Sequence, residues 1–183
     1  MTLVYSQDMP IGSKMPSFRL KDPDNRAFES GDLFGGKGLL VVFTCNHCPY
    51  ANAQWPRLVA LAEEFKPRGI HTVAINSNIH PDYPEDAPAG MKSKMAELHI
   101  DFPYLVDDTQ EVARLFAAQC TPDPYLFDKE GHLVYHGRID DNWKNEKEVT
   151  RRELRDAMDR LVRGVAPQAD QHPSMGCSIK WRR

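Results

Sequence analysis

The stretch Gly38-Leu39-Leu40-Val41-Val42-Phe43-Thr44-Cys45-Asn46-His47-Cys48-Pro49-Tyr50-Ala51 decides how this chain is read. Its first half is a short apolar run of the kind that forms a buried strand. Beyond it, Ala51, Trp55, Leu58, Val59, Ala62 and Phe65 recur at helical spacing. Two thiols therefore stand where a strand ends and a helix begins. Unpaired backbone N–H groups and the helix dipole favour an anion at such a junction. The thiolate is the reactive form of cysteine, and this placement draws a thiol pKa from about 8.5 toward roughly 3.5–7.5. Cys45 and Cys48 read as a redox pair. Cys45, at the helix start, is expected to be the more exposed thiol and the nucleophile, with Cys48 resolving.

Outward from this motif the chain alternates strand and helix. Ser17–Leu20 and Ala27–Phe28 are short extended segments around the turn-forming Asp22-Pro23-Asp24-Asn25, an N-terminal β-hairpin extension. Pro67-Arg68-Gly69 closes the first helix, and the β-branched run Ile70–Asn76 is the next strand. Asn78–Gly90, with three prolines, is a loop leading into a helix near Pro88. A strand at Phe102–Val106 precedes Asp108-x-x-Glu111, which reads as a capping box. Tyr125–Phe127 and His132–Ile139 form a hairpin across Asp128-Lys129-Glu130-Gly131. Thr150-x-x-Glu153 caps a last helix, and residues 165–183 form a C-terminal tail. This order implies a single α/β domain over residues 1–183, with a central mixed sheet flanked by helices.

Composition narrows the function classes. The chain has 183 residues and a formal net charge of −3, which gives no electrostatic reason to expect nucleic acid or an anionic membrane as partner. No apolar run approaches the roughly 20 residues of a membrane span, and no secretory leader is visible at the start. Four cysteines are too few for a disulfide scaffold. The expectation is a cytoplasmic protein, monomer or homodimer, that uses its thiols for chemistry.

Phe43-Thr44-Cys45-Asn46-His47-Cys48-Pro49-Tyr50, Ala74-Ile75-Asn76-Ser77-Asn78, Cys120-Thr121-Pro122-Asp123-Pro124 and Pro173-Ser174-Met175-Gly176-Cys177-Ser178-Ile179-Lys180-Trp181 resemble the thioredoxin superfamily, and within it the bacterial redoxin-domain proteins of peroxiredoxin-like, AhpC/TSA-like type. The resemblance implies a thioredoxin-like fold and a thiol–disulfide oxidoreductase acting on a protein or small-molecule disulfide, with no cofactor and no metal. It makes Pro122 the cis-proline facing the two thiols, presenting the backbone of Thr121 to an extended substrate segment. Thr44, Asn46 and His47 support the pair, His47 by placing partial positive charge beside the Cys45 thiolate. The Asn-His insert implies a disulfide more oxidising than thioredoxin's about −270 mV.

Two departures matter. The buried acid that thioredoxins carry six residues before the first cysteine is here Leu39, so a proton acceptor must come from elsewhere, with His47 and Asp140 candidates by residue type. The Thr or Ser that peroxiredoxins carry three residues before their reactive cysteine is here Cys45, and Val41 stands where a proline is expected. Thiol peroxidase is thus the alternative reading. A non-catalytic or zinc-binding module is the other, its remaining ligands drawn from His47, Cys120, His172 or Cys177. Cys120 and Cys177 read as small buried residues, with a reserve disulfide between them as the alternative that makes them auxiliary thiols, and the apolar residues of the tail predict that it folds back and buries Trp181.

Overall fold

In chain order the elements are β1 (Leu3–Tyr5), β2 (Arg19–Lys21), β3 (Ala27–Glu29), β4 (Gly38–Phe43), α1 (Pro49–Phe65), β5 (Ile70–Asn76), α2 (Pro88–Glu97), β6 (Tyr104–Val106), α3 (Glu111–Leu115), β7 (Cys120–Thr121), β8 (Asp123–Asp128), β9 (Leu133–His136), α4 (Glu153–Val162) and β10 (Met175–Ser178). The computed structural model describes residues 2–7 and 9–182. A seven-stranded sheet runs in the order β3-β2-β6-β5-β4-β8-β9. β4 is parallel to β5, and β5 to β6, while the other neighbours are antiparallel.

β4 is central, and every residue of it is buried. Its alternation divides the core in two. Leu40 and Val42 face Trp55 and Leu58 of α1, Met91 of α2, and Leu154 and Met158 of α4. Leu39, Val41 and Phe43 face Phe18, Val112 of α3, Phe116 and Tyr125. Helices therefore cover both faces, as a sheet with a parallel centre requires.

A second sheet of three strands, in the order β1-β10-β7, brings the two ends of the chain together. The short strands β1, β7 and β10 carry no periodic signal in the sequence. The chain passes from this sheet to the central one through the cis peptide bond Thr121–Pro122, between β7 and β8. Past β10, Ile179 is buried whereas Trp181 is 37% exposed, its ring under the Arg114 guanidinium 5.0 Å from the centroid. The expected burial of Trp181 is thus corrected: Ile179 takes the inward position.

Both predicted capping boxes are replaced by longer-range contacts. Asp107, not Asp108, caps α3, accepting from the backbone N–H of Val112 at 3.3 Å and of Ala113 at 2.9 Å. Thr150 bonds Asp141, and Glu153 accepts from Arg138 at 2.9 Å.

Candidate active site at the end of β4

Thr44 extends the β4 ladder, its N–H donating to the Ile75 carbonyl at 2.9 Å. The chain then turns through Cys45-Asn46-His47 into α1, with Cys48 as the N-cap residue and Pro49 first in the helix. Proline suits that position because its missing N–H would have no intrahelical acceptor. Side chains lock the turn from three sides. Trp55 Nε1 donates to the Cys45 carbonyl at 3.1 Å, the Tyr104 hydroxyl to Asn46 Oδ1 at 3.1 Å, and Asn52 Nδ2 to the Asn46 carbonyl at 2.6 Å.

Asn46 also clamps the turn Pro84–Asp86 that precedes α2. Its backbone N–H donates to Asp86 Oδ1 at 2.6 Å and its amide to the Glu85 carbonyl at 2.8 Å. Asn76, at the end of β5, donates to the same Asp86 oxygen at 3.0 Å. Gly90 lets the first turn of α2 pack on this turn, since a Cβ there would stand 2.2 Å from the Glu85 carbonyl oxygen. The other Asp86 oxygen holds His47 Nδ1. Asp86 is fully buried, and the His47 side chain, stacked on Tyr83 with ring centroids 4.0 Å apart, is nearly so. His47 Nε2 is buried and has no hydrogen-bond partner among the described residues. The Cys45 sulfur, a His47 ring nitrogen and an Asp86 oxygen all lie within 4.8 Å of one another.

Thr121 meets both thiols from the opposite side. Cys45 Sγ is 3.2 Å from Thr121 Oγ1, and the Cys48 thiol, when protonated, donates to the Thr121 carbonyl at 3.4 Å. The hydrogen bond from Cys45 is the main cause that pulls the Cys48 pKa down to about 5, against desolvation and with help from the Cys177 thiol and the Ala51 N–H. Burial above all, then the bond to Cys48 and the Asp86 charge, pushes the Cys45 thiol well above its ordinary value. The two shifts run in opposite directions, toward the thiol at Cys45 and toward the thiolate at Cys48.

Several sequence expectations change here. Cys45 is not the more exposed thiol, because Thr121 and the turn seal it and both cysteines are fully buried. His47 is bound to Asp86, and the Cys45 thiol, expected to be the readily ionised one, is instead pushed up by burial first, then by the bond to Cys48 and the Asp86 charge. Asp140 is no proton acceptor for the pair, since Arg57 Nη1 donates to both of its oxygens at 2.8 and 2.7 Å. Leu39 lies in the apolar core, as its type requires. The buried acid that does stand beside the pair is Asp86. In the sequence it is one carboxylate in a proline-rich loop, and only the fold shows what closes around it.

The other two cysteines part company. Cys177 is opposite Thr121 in the β10–β7 register, and Ser178 is opposite Cys120. Opposed residues share a sheet face and successive ones alternate. Cys177 therefore turns with Thr121 toward Cys48, joining a cluster of Cys45, Cys48 and Ala51. Cys120 turns away, its Sγ 3.9 Å from the Pro122 carbonyl. Burial and the Asp123 charge hold its thiol far above the ordinary range. Both thiols are buried, and the alternative Cys120–Cys177 pairing is not formed: the thiol that Cys177 hydrogen-bonds is Cys48. The zinc set drawn from His172 and Cys120 does not assemble either. His172 stands 3.6 Å from Glu153, and among the described residues the group with ligand-like spacing is Cys45, His47 and Asp86.

A model of the AhpC/TSA family matches residues 11–136. The chain belongs to the AhpC/TSA family. It is 23% identical over 123 residues to the thiol-disulfide oxidoreductase ResA of Halalkalibacterium halodurans, a match spanning 67% of this chain and 65% of that relative, just under two thirds of its length. An uncharacterized conserved protein from Geobacillus kaustophilus, known from its crystal structure, shares 42% identity at a TM-score of 0.94, over 100% of this chain and 97% of that one. The thioredoxin domain of a thiol-disulfide oxidoreductase from Bacteroides vulgatus superposes at a TM-score of 0.59 and 20% identity, over 70% and 89% of the two chains. That likeness shows the thioredoxin-like fold, with the central mixed sheet flanked by helices.

Proposed function

We propose that this AhpC/TSA-family protein is a thiol–disulfide oxidoreductase that exchanges disulfides with protein thiols through Cys45 and Cys48. The observation that carries the reading is the pair of thiols at the start of α1, both in contact with Thr121, with the His47–Asp86 pair beside Cys45. The Cys48 thiolate attacks a substrate disulfide, forming a Cys48–substrate S–S bond and releasing the first substrate thiolate. Cys45 then passes its proton to the His47–Asp86 pair and attacks Cys48. This forms the Cys45–Cys48 disulfide and expels the second substrate thiolate, so the substrate leaves reduced by two electrons and the protein is oxidised by two. Run in reverse, the same steps oxidise a substrate dithiol.

The roles follow acidity rather than order in the chain, since thiolate fraction sets the attacking sulfur. Reduction of insulin disulfides by purified protein in dithiothreitol tests the reading. Acceleration that is lost in Cys48→Ser, and in Cys45→Ser combined with Cys177→Ser, is expected. Hydrogen peroxide consumption without insulin reduction would overturn it in favour of a thiol peroxidase.

A further inference from the structure

The C-terminal strand is held on both edges beside the thiol pair. β10 pairs with β1 through Leu3↔Cys177, Val4↔Gly176 and Tyr5↔Met175, and with β7 through Cys177↔Thr121. Ser174 Oγ donates to the Pro122 carbonyl at 2.6 Å, and the Lys180 N–H to Asn78 Oδ1 at 2.8 Å. Gly176 lets the strand lie this close, because a Cβ there would sit 1.9 Å from the Thr121 carbonyl oxygen. The strand thus occupies the edge of Thr121 that faces the two thiols, and its register delivers one side chain to them, that of Cys177. Cys48 then has a thiol on either side, Cys45 and Cys177, and both hydrogen-bond it.

From this arrangement we infer that Cys177 is a third redox thiol of the site, an internal exchange partner that draws Cys48 out of the Cys45–Cys48 disulfide and sets Cys45 free. The inference rests on the oxidoreductase reading, which supplies the Cys45–Cys48 disulfide. The Cys177 sulfur attacks Cys48 Sγ, the Cys48–Cys177 bond forms and the Cys45–Cys48 bond breaks. The electron pair goes to Cys45, which takes up the proton that Cys177 gives away. No net oxidation occurs and no outside reagent is consumed. The chemistry is gated by the state of Cys48. In the reduced protein, after burial, the hydrogen bond to Cys48 and the Cys48 charge push the Cys177 thiol up to about 12. Both of those influences vanish once Cys48 is in a disulfide, while the Lys180 charge continues to favour the Cys177 thiolate.

The test uses the full chain with diamide as two-electron oxidant, acid quenching, N-ethylmaleimide labelling and peptide mapping. Wild type given one equivalent is expected to hold both Cys45–Cys48 and Cys48–Cys177 disulfides, with Cys120 labelled throughout. In Cys45→Ser, the three remaining thiols should fall to one, that of Cys120. Wild type needs no folding control, and far-UV circular dichroism before and after oxidation reports on the variant. If wild type forms only Cys45–Cys48, and folded Cys45→Ser keeps Cys48 and Cys177 labelled, the inference is overturned while the oxidoreductase reading stands. If Cys45–Cys48 fails to form in wild type, the oxidoreductase reading fails, and the Cys45→Ser result still decides whether Cys177 bonds Cys48. A Cys120–Cys177 disulfide would also overturn the inference.

Discussion

Among the described residues two His–Asp pairs are buried, and only one of them leaves a buried ring nitrogen without a hydrogen-bond partner. In the hairpin, His136 Nε2 meets Asp123 Oδ1 at 2.9 Å, Tyr125 donates to the other oxygen at 3.0 Å, and the Tyr125 and His136 rings stack 3.9 Å apart. That group closes on itself and ties β8 to β9. At the end of β4, Asp86 is equally buried and accepts from Asn46, Asn76 and His47, yet His47 Nε2 keeps a buried nitrogen without a partner among the described residues. An unsatisfied buried polar atom is disfavoured by about 1–3 kcal/mol. In the proposed function the His47–Asp86 pair is what takes up the Cys45 proton. In that proposal the same residue pair serves architecture in one place and chemistry in the other.

Substituting the two acids in parallel is the strongest way to break this comparison. Asp86→Asn should slow dithiol–disulfide exchange at neutral pH about 100-fold, the lower end of what a positioned acid–base group contributes. Asp123→Asn should leave the exchange rate within about threefold but lower unfolding free energy by about 1–3 kcal/mol, through its buried hydrogen bonds. Insulin-reduction kinetics and urea titrations measure both. Equal rate losses in the two variants would erase the distinction.

The comparison is sharpened by asking which sulfur is ionised. Iodoacetamide at pH 7 should modify Cys48 at least about tenfold faster than Cys45, since the thiolate is the species that reacts. The Cys48 rate should fall as pH drops through about 5, where its thiolate is protonated. Faster labelling of Cys45 would place the charge on the wrong sulfur in this account.

Stability should follow the same titration. The Cys48 pKa is about 5 in the folded protein, against about 8.5 for an unstructured thiol. Between those values the unfolded chain binds the extra proton. The stabilisation from this thiolate is therefore complete above about pH 8.5 and is lost as pH falls toward 5. Urea titrations of reduced protein at the two ends of that window should show the difference, and Cys48→Ala should flatten it. A smaller signature lies in the midpoint potential, which should change by about 30 mV per pH unit above pH 5 and about 59 mV below it, as the reduced pair gains its second proton.

What the sequence made legible was what local patterning controls. The run Leu39–Phe43 and the helical spacing after Pro49 place both thiols at a strand–helix junction with no knowledge of tertiary contacts. Asp86 was not legible, because its burial depends on Asn46 and Asn76 closing over it from other elements. The strands β1, β7 and β10 escaped for a related reason. They are short, lack alternation, and pair residues from opposite ends of the chain, such as Leu3 with Cys177. The same pairing redirected Cys177 from Cys120 to Cys48, since a one-residue difference in register puts a side chain on the other face.

The central claim is that Cys48 is the attacking sulfur of a disulfide-exchange pair, and trapping tests it most directly. Cys45→Ser combined with Cys177→Ser leaves Cys48 with neither neighbouring thiol to resolve an adduct. Incubated with insulin and resolved by non-reducing electrophoresis with peptide mapping, this variant should accumulate a mixed disulfide on Cys48, and Cys48→Ser should accumulate none. An adduct that forms only in Cys48→Ser, on Cys45, would contradict the account.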